Sequence, residues 1–203
     1  MKNKIRPAAL ITGSARRIGR AMALALAEDG FDIALHYNKS SIAAAKTARM
    51  VRSLGAACDL FPADFGVEGE ANRLIPVVTR RFSRLMVLVN SASVFVPSGL
   101  GAEDMLLLEE HMMVHVKAPW VLVSEFAKLA RRGVVINCLD TKVSSNANDF
   151  GAYLLSKKTL AELTKMQAVH FAPNLRVNGI APGLILKPEA KKPGYLMQKA
   201  ACV

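Results

Sequence analysis

Apolar runs too short for helices alternate along this chain with amphipathic stretches of helix length, and that alternation constrains the fold more than any other feature. Strands are predicted at Ala8–Thr12, Phe31–Tyr37, Cys58–Pro62, Leu85–Asn90, Gly133–Leu139 and Leu175–Ala181. Between them, helical periodicity passes through Ile18, Met22, Ala25 and Leu26, then covers Ile42–Leu54 up to a stop at Gly55. Further helices are predicted at Glu70–Phe82, at Met105–Arg131 with a kink at Pro119, and at Ala152–Phe171. Strands of near-continuous Val, Ile and Leu lack a solvent-facing side, so they belong to a parallel sheet covered on both faces. Right-handed crossovers between such strands produce a doubly wound α/β fold. No internal repeat or low-complexity linker interrupts the pattern. Residues 1–203 are therefore read as one domain, with 186–203 an irregular tail or the start of a substrate lid.

Composition removes several alternatives. With 52% hydrophobic residues in 203, the chain has enough apolar surface to offset its conformational entropy, which excludes a disordered protein. Three widely spaced cysteines, Cys58, Cys138 and Cys202, exclude a disulfide scaffold. The formal charge of +11 comes from lysines and arginines scattered in ones and twos, so it reads as a generically basic surface and not a nucleic-acid site. The apolar run Ala8–Ile11 is too short for the h-region of a signal peptide, which needs about 7–15 residues. The uncharged stretch Leu85–Ala102 contains Asn90, Ser91, Ser93, Pro97, Ser98, Gly99 and Gly101, which lipid would solvate badly. A cytoplasmic setting with reduced cysteines and no membrane contact is expected.

In a doubly wound sheet, ligands bind beyond the carboxyl ends of the strands, near the switch in strand order. The first strand runs through Thr12-Gly13-Ser14-Ala15-Arg16-Arg17-Ile18-Gly19 directly into a helix. Gly13 allows a sharp turn, Gly19 permits close packing, and the helix N-terminus offers N–H groups to a pyrophosphate. The dinucleotide fingerprint has another glycine where this chain has Arg17. An NAD site also places an acid at the end of the second strand to grip the ribose 2′-OH. That end reads His36-Tyr37-Asn38-Lys39-Ser40 and contains none. Arg16 or Arg17 with Lys39 and Ser40 can instead pair with a 2′-phosphate, which favours NADPH; as bare residues they also fit a solvated loop.

Tyr153 and Lys157 stand one helical turn apart on one face. An ammonium about 5 Å from a phenol, at an effective dielectric of about 20, contributes roughly 3 kcal/mol. The tyrosine pKa is thus expected to fall by about 2, towards the range useful for proton transfer. Asp140, at the end of the fifth strand, either orients or protonates the reacting centre, or else caps a helix or turn.

Together, Thr12-Gly13-xxx-Arg17-Ile18-Gly19, Asn90-Ser91-Ala92-Ser93, Tyr153-xxx-Lys157 and Arg176-Val177-Asn178-Gly179-Ile180-Ala181-Pro182-Gly183 resemble the short-chain dehydrogenase/reductase family, over about Ile5–Leu186. Within it, the chain is most similar to the pteridine reductases, including dihydromonapterin reductase. The features shared with them are the arginine at 17, the segment Leu35-His36-Tyr37-Asn38-Lys39-Ser40, and aspartate at 140 where most members place serine. The resemblance implies a Rossmann fold and NADP(H)-dependent hydride transfer to a pterin-like substrate. Tyr153 would be the proton donor, Lys157 would hold the nicotinamide ribose, and Asp140 would help protonate the ring. It further implies coenzyme contacts at Gly13, Arg16, Arg17, Ile18, Gly19, His36, Asn38, Lys39, Ser40, Asp64, Phe65, Ser91, Ala92, Ser93, Pro182 and Gly183. Ser93 and Phe95 would also contact substrate, Phe95 by stacking; without the family, Phe95 reads equally as a plug at the core edge.

The chain departs from the family pattern at Ser91, which replaces a second asparagine, and at His115, which replaces the helix-four asparagine of a proton relay. A helical histidine is more often structural than a relay. His111 and His115 are spaced i, i+4, but no carboxylate or cysteine accompanies them in a known pattern, so no metal is expected. The chain is also C-terminally short, stopping at Val203 where members usually continue. Two rival functions remain: a short-chain carbonyl reductase such as a 3-oxoacyl reductase, and a non-catalytic NADP-binding protein. A homo-oligomer, dimer or tetramer, acting on a small molecule is the expected form.

Overall fold

The computed structural model describes residues 5–130, 132–146 and 149–186, and the alternation read from the sequence is present throughout them. Six strands are formed: β1 (Ala8–Ile11), β2 (Asp32–Tyr37), β3 (Cys58–Pro62), β4 (Leu85–Asn90), β5 (Gly133–Cys138) and β6 (Leu175–Ile180). They make one parallel sheet in the order β3-β2-β1-β4-β5-β6. The order reverses between β1 and β4, which places the ligand crevice beyond their carboxyl ends.

Helices α1 (Arg17–Glu28) and α2 (Ser41–Ser53) cover one face. Their contact rows are alanine-rich, with Ala23, Ala27, Ala44, Ala48 and Val51 packed on Ile11, Ile33 and Leu35. Small side chains let these helices lie close to the strands. The other face carries α3 (Glu70–Arg81) and α5 (Ala118–Leu129), whose Leu74, Ile75, Val78, Leu122 and Phe126 bury Leu10, Leu88 and Val135. Each such fully buried aliphatic residue contributes about 2 kcal/mol. Helix α6 (Gly151–His170) packs through Leu160 and Leu163 against Val116.

The single helix predicted over Met105–Arg131 is instead three pieces. Helix α4 spans Met105–Met112, a π-helical segment occupies Met113–Lys117, and α5 follows to Leu129. Pro119 has no N–H to offer the carbonyl of His115, and the widened turn ahead of it accommodates that lost bond. The predicted strands at Ala8–Thr12, Gly133–Leu139 and Leu175–Ala181 each end one residue earlier, although the N–H groups of Thr12 and Leu139 still donate to the neighbouring strands at Val89 and Ile180. Of the tail expected at 186–203, residues 187–203 lie outside the described residues, as does Cys202.

Candidate active site

The first turn is held by contacts that leave no room for side chains at its glycines. Gly13 has φ +65°, and a Cβ there would stand 2.7 Å from Ala92 Cα. A Cβ on Gly19 would stand 2.5 Å from the Gly13 carbonyl oxygen. Thr12 Oγ1 accepts from the N–H groups of Ser91 and Ala92, both at 2.9 Å, and so ties the carboxyl end of β1 to that of β4. Arg17, where the fingerprint has glycine, adopts φ +53°, the left-handed region. The glycine preference of the fingerprint thus reflects a backbone requirement, which this chain meets with a strained arginine.

Arg16 and Arg17 are exposed beside this turn, and the Arg16 guanidinium donates to Ser40 Oγ at 2.7 Å across the gap between β1 and β2. Asn38 and Lys39 are exposed next to it. His36 and Phe65 are placed differently, being buried and stacked with ring centroids 4.3 Å apart. His36 Nδ1 accepts from the Gly13 N–H at 3.0 Å, and Nε2 lies 3.1 Å from the Ala63 carbonyl. Both therefore brace the turn from below. Burial lowers the His36 pKa to about 4. Asp64 accepts from the Gly66 N–H at 2.9 Å, in the loop after β3.

At the mouth of β5, Asp140 caps the following turn and also reaches the tyrosine hydroxyl. Its Oδ1 accepts from the Lys142 N–H at 2.8 Å, capping the turn, and its Oδ2 accepts from Tyr153 Oη at 2.8 Å. Pro182 and Gly183 lie alongside, where the Pro182 carbonyl accepts from the Thr141 N–H at 3.4 Å. Lys157 is buried, and its Nζ donates to the Cys138 carbonyl at 2.7 Å, 5.8 Å from the centre of the Tyr153 ring. Burial lowers the Lys157 pKa to about 8.

The expected fall in the tyrosine pKa is not found; it is raised. Burial disfavours the phenolate, and Asp140 opposes it by accepting the hydroxyl proton and by its charge. Burial is the largest cause; of the two nearby charges, the carboxylate touches the hydroxyl while the lysine is engaged elsewhere, so the carboxylate outweighs it.

An aromatic wall borders the tyrosine. Phe95 is 55% exposed, which places it at the mouth and not in the core edge. It stacks on Phe150 at 4.3 Å and meets Tyr153 edge-on at 4.7 Å. Phe150 and Ser156, three residues either side of Tyr153, carry no motif of their own; helical spacing from the tyrosine is their only sequence signal. Ser156 Oγ lies 2.8 Å from His115 Nδ1, while His115 Nε2 lies 2.9 Å from Ser93 Oγ and accepts from the Val94 N–H at 3.2 Å. His115 therefore pins the loop after β4 to α6. Its ring stands edge-on to His111, and His111 Nδ1 is 2.7 Å from the Leu107 carbonyl. Among the described residues no cluster of three metal-ligating side chains is present, and no helix is long and apolar enough to cross a membrane. A cleft of about 450 Å³, lined by Phe31, Met86, Arg132, Pro173 and Arg176, lies at the opposite ends of the strands, away from Asp140 and Tyr153.

Comparison with known proteins agrees with this fold. Residues 13–200 match the family model described as Enoyl-(Acyl carrier protein) reductase. Pteridine reductase 1 of Leishmania tarentolae is 28% identical over 90% of this chain and 78% of its own. Dihydromonapterin reductase of Enterobacter sp. (strain 638) is 30% identical over 94% of this chain and 79% of its own. The crystal structure of FolM alternative dihydrofolate reductase 1 from Brucella canis, complexed with NADP, superposes with a TM-score of 0.89 at 34% identity, covering 96% of this chain and 78% of that one.

Proposed function

The chain belongs to the short-chain dehydrogenase/reductase family, and from that membership we propose that it is an NADPH-dependent reductase taking a dihydropteridine-like ring to the tetrahydro level. The observation that carries the substrate reading is the hydrogen bond from Tyr153 Oη to Asp140 Oδ2. A carboxylate at that point repels a carbonyl oxygen that gathers negative charge, as a ketone or 3-oxoacyl group does. It suits a ring nitrogen that must gain a proton. The pterin reductases and the NADP-bound structure among the relatives support the same reading.

The residues fit a dinucleotide phosphate. The cradle at Gly13 and Gly19 excludes a Cβ, and the start of α1 faces it. Arg16, Arg17, Asn38, Lys39 and Ser40 would hold the 2′-phosphate, with no carboxylate among them to repel it. Ser91, Ala92 and Ser93 after β4, and Pro182 and Gly183 after β6, would flank the nicotinamide. The bound coenzyme supplies the hydride.

The chain's own groups manage the proton. Reduction of a C=N bond breaks the π bond, adds hydride to carbon and adds a proton to nitrogen. Tyr153 keeps its proton at physiological pH because burial and Asp140 both disfavour the phenolate. As the nitrogen becomes basic, the proton leaves Oη. The buried Lys157 ammonium, held by the Cys138 carbonyl, then balances the charge left behind. Phe95, exposed and backed by Phe150, would supply the aromatic surface for a flat ring.

The test is NADPH oxidation with dihydrobiopterin, dihydromonapterin and simple ketones. Turnover of a dihydropterin is expected, and Tyr153→Phe should abolish it. Turnover of ketones alone would overturn the substrate assignment, and an active Tyr153→Phe enzyme the chemistry.

A further inference from the structure

We infer that His115 is a positioning residue: through a fixed hydrogen-bond chain it turns the Ser93 hydroxyl inward and leaves that oxygen facing the site as an acceptor, selecting ligands that present an N–H donor. The inference rests on the proposed reading of the ligand as a nitrogen-bearing ring.

The directions of the bonds follow from one group that can only donate. The Val94 backbone N–H points at His115 Nε2 at 3.2 Å, so that nitrogen carries a lone pair and the ring hydrogen sits on Nδ1. Nδ1–H then donates to Ser156 Oγ at 2.8 Å, and the Ser156 hydroxyl donates to the Tyr153 carbonyl at 2.7 Å. Ser93 Oγ, 2.9 Å from Nε2, can receive no hydrogen from that nitrogen and can only donate to it, sharing its lone pair with the Val94 N–H. The other acceptor in its reach, the Val94 carbonyl at 3.3 Å, also lies within the protein. In either case the hydroxyl hydrogen points away from the site.

Protonation of His115 would reverse the chain by making Nε2 a donor. The groups around the ring prevent it. The imidazole is 1% exposed, the Lys157 ammonium and the His111 ring face it, and the neutral Tyr153 ring stands 5.5 Å away. Together, burial and Lys157 push its pKa down to about 2. Ser93 is exposed, and Phe95, two residues on, touches Tyr153 edge-on. The locked oxygen therefore sits on the rim of the catalytic site. An amino or ring N–H group there gains a partner, and a carbonyl oxygen meets a lone pair.

The experiment has two arms, both on the full chain. In the first, long-range proton–nitrogen spectra of histidine-labelled protein report the tautomer, with the His115 signal assigned by its loss in His115→Gln. A neutral Nδ1–H ring between about pH 5 and 8 is expected. An Nε2–H ring or an imidazolium in that window overturns the inference. In the second, Ser93→Ala and His115→Leu should each raise KM for a dihydropterin about tenfold, the limit for one neutral hydrogen bond. kcat should fall less than KM rises, and the double variant should be no worse than either single one. His115→Gln, which returns an acceptor oxygen, should recover part of the loss. Effects that multiply, or a loss in kcat with KM unmoved, overturn it. Should His115→Leu fail to fold, Ser93→Ala and the tautomer still decide. A wild-type enzyme that reduces only ketones refutes the proposed substrate, while the spectra answer separately for His115.

Discussion

Replacing Asp140 with asparagine removes a charge that opposes ionisation of Tyr153. The amide still caps the following turn through the contact now made to the Lys142 N–H at 2.8 Å, since Asn and Asp cap equally well. With its one oxygen on that N–H, its NH2 stands where Oδ2 stood and can donate to Tyr153 Oη, so the shape persists while the negative charge and the acceptor that hold the phenol are both removed. With the carboxylate and phenolate charges about 4 Å apart at an effective dielectric of about 20, that charge is worth roughly 4 kcal/mol, or about 3 in pKa. In Asp140→Asn, Tyr153 should ionise about three pH units below its wild-type midpoint. The assay is phenolate absorbance against pH, with Tyr153→Phe as the blank that cancels Tyr37 and Tyr195. Wild-type Tyr153 should stay a phenol beyond pH 10, where a free tyrosine has half titrated. Equal midpoints in wild type and Asp140→Asn would refute any part for the carboxylate and leave burial as the whole cause. A wild-type midpoint below 10 would restore the lysine as the deciding charge.

Arg17→Gly should relieve about 1 kcal/mol of left-handed strain and raise the melting midpoint by a few degrees. The same variant should weaken NADPH binding, read by quenching of nucleotide fluorescence. Gly19→Ala, whose Cβ would meet the Gly13 carbonyl at 2.5 Å, should lose about 1–3 kcal/mol in chemical denaturation and much of its coenzyme affinity. His36 has a folded pKa of about 4 against 6.5 unfolded, so the unfolded state binds more protons between those values. Its contribution of about 3 kcal/mol is therefore intact above pH 6.5 and is lost as pH falls towards 4, measurable as a falling denaturation midpoint that His36→Gln flattens. Lys39→Ala should weaken NADPH and leave NADH little changed in competition binding, since only the 2′-phosphate needs the ammonium.

Much of this protein is legible in one dimension because its determinants are local. A buried parallel strand must be apolar on both sides, so β1, β2, β4, β5 and β6 announce themselves, and the helices between them follow from periodicity. Gly13 and Gly19 mark a turn that only small residues can make, and Tyr153 and Lys157 share a helical face by spacing alone. The break at Met113–Lys117 is less legible, because Pro119 signals a kink without specifying a π turn. His36 shows where the reading stops: its place beside the segment Asn38–Ser40 is visible, but its turn inward onto Phe65 depends on a strand's facing direction at one residue.

What the amino acids determine unaided is the sheet, its mouth and the cast of ionisable groups gathered there. What those groups are as acids and bases is decided by the fold. Spacing makes Lys157 the neighbour of Tyr153, yet folding brings Asp140 from the loop after β5 to 2.8 Å and turns the ammonium to the Cys138 carbonyl. Electrostatic effects depend on distance and solvent exposure, and neither exists until the chain has closed on itself.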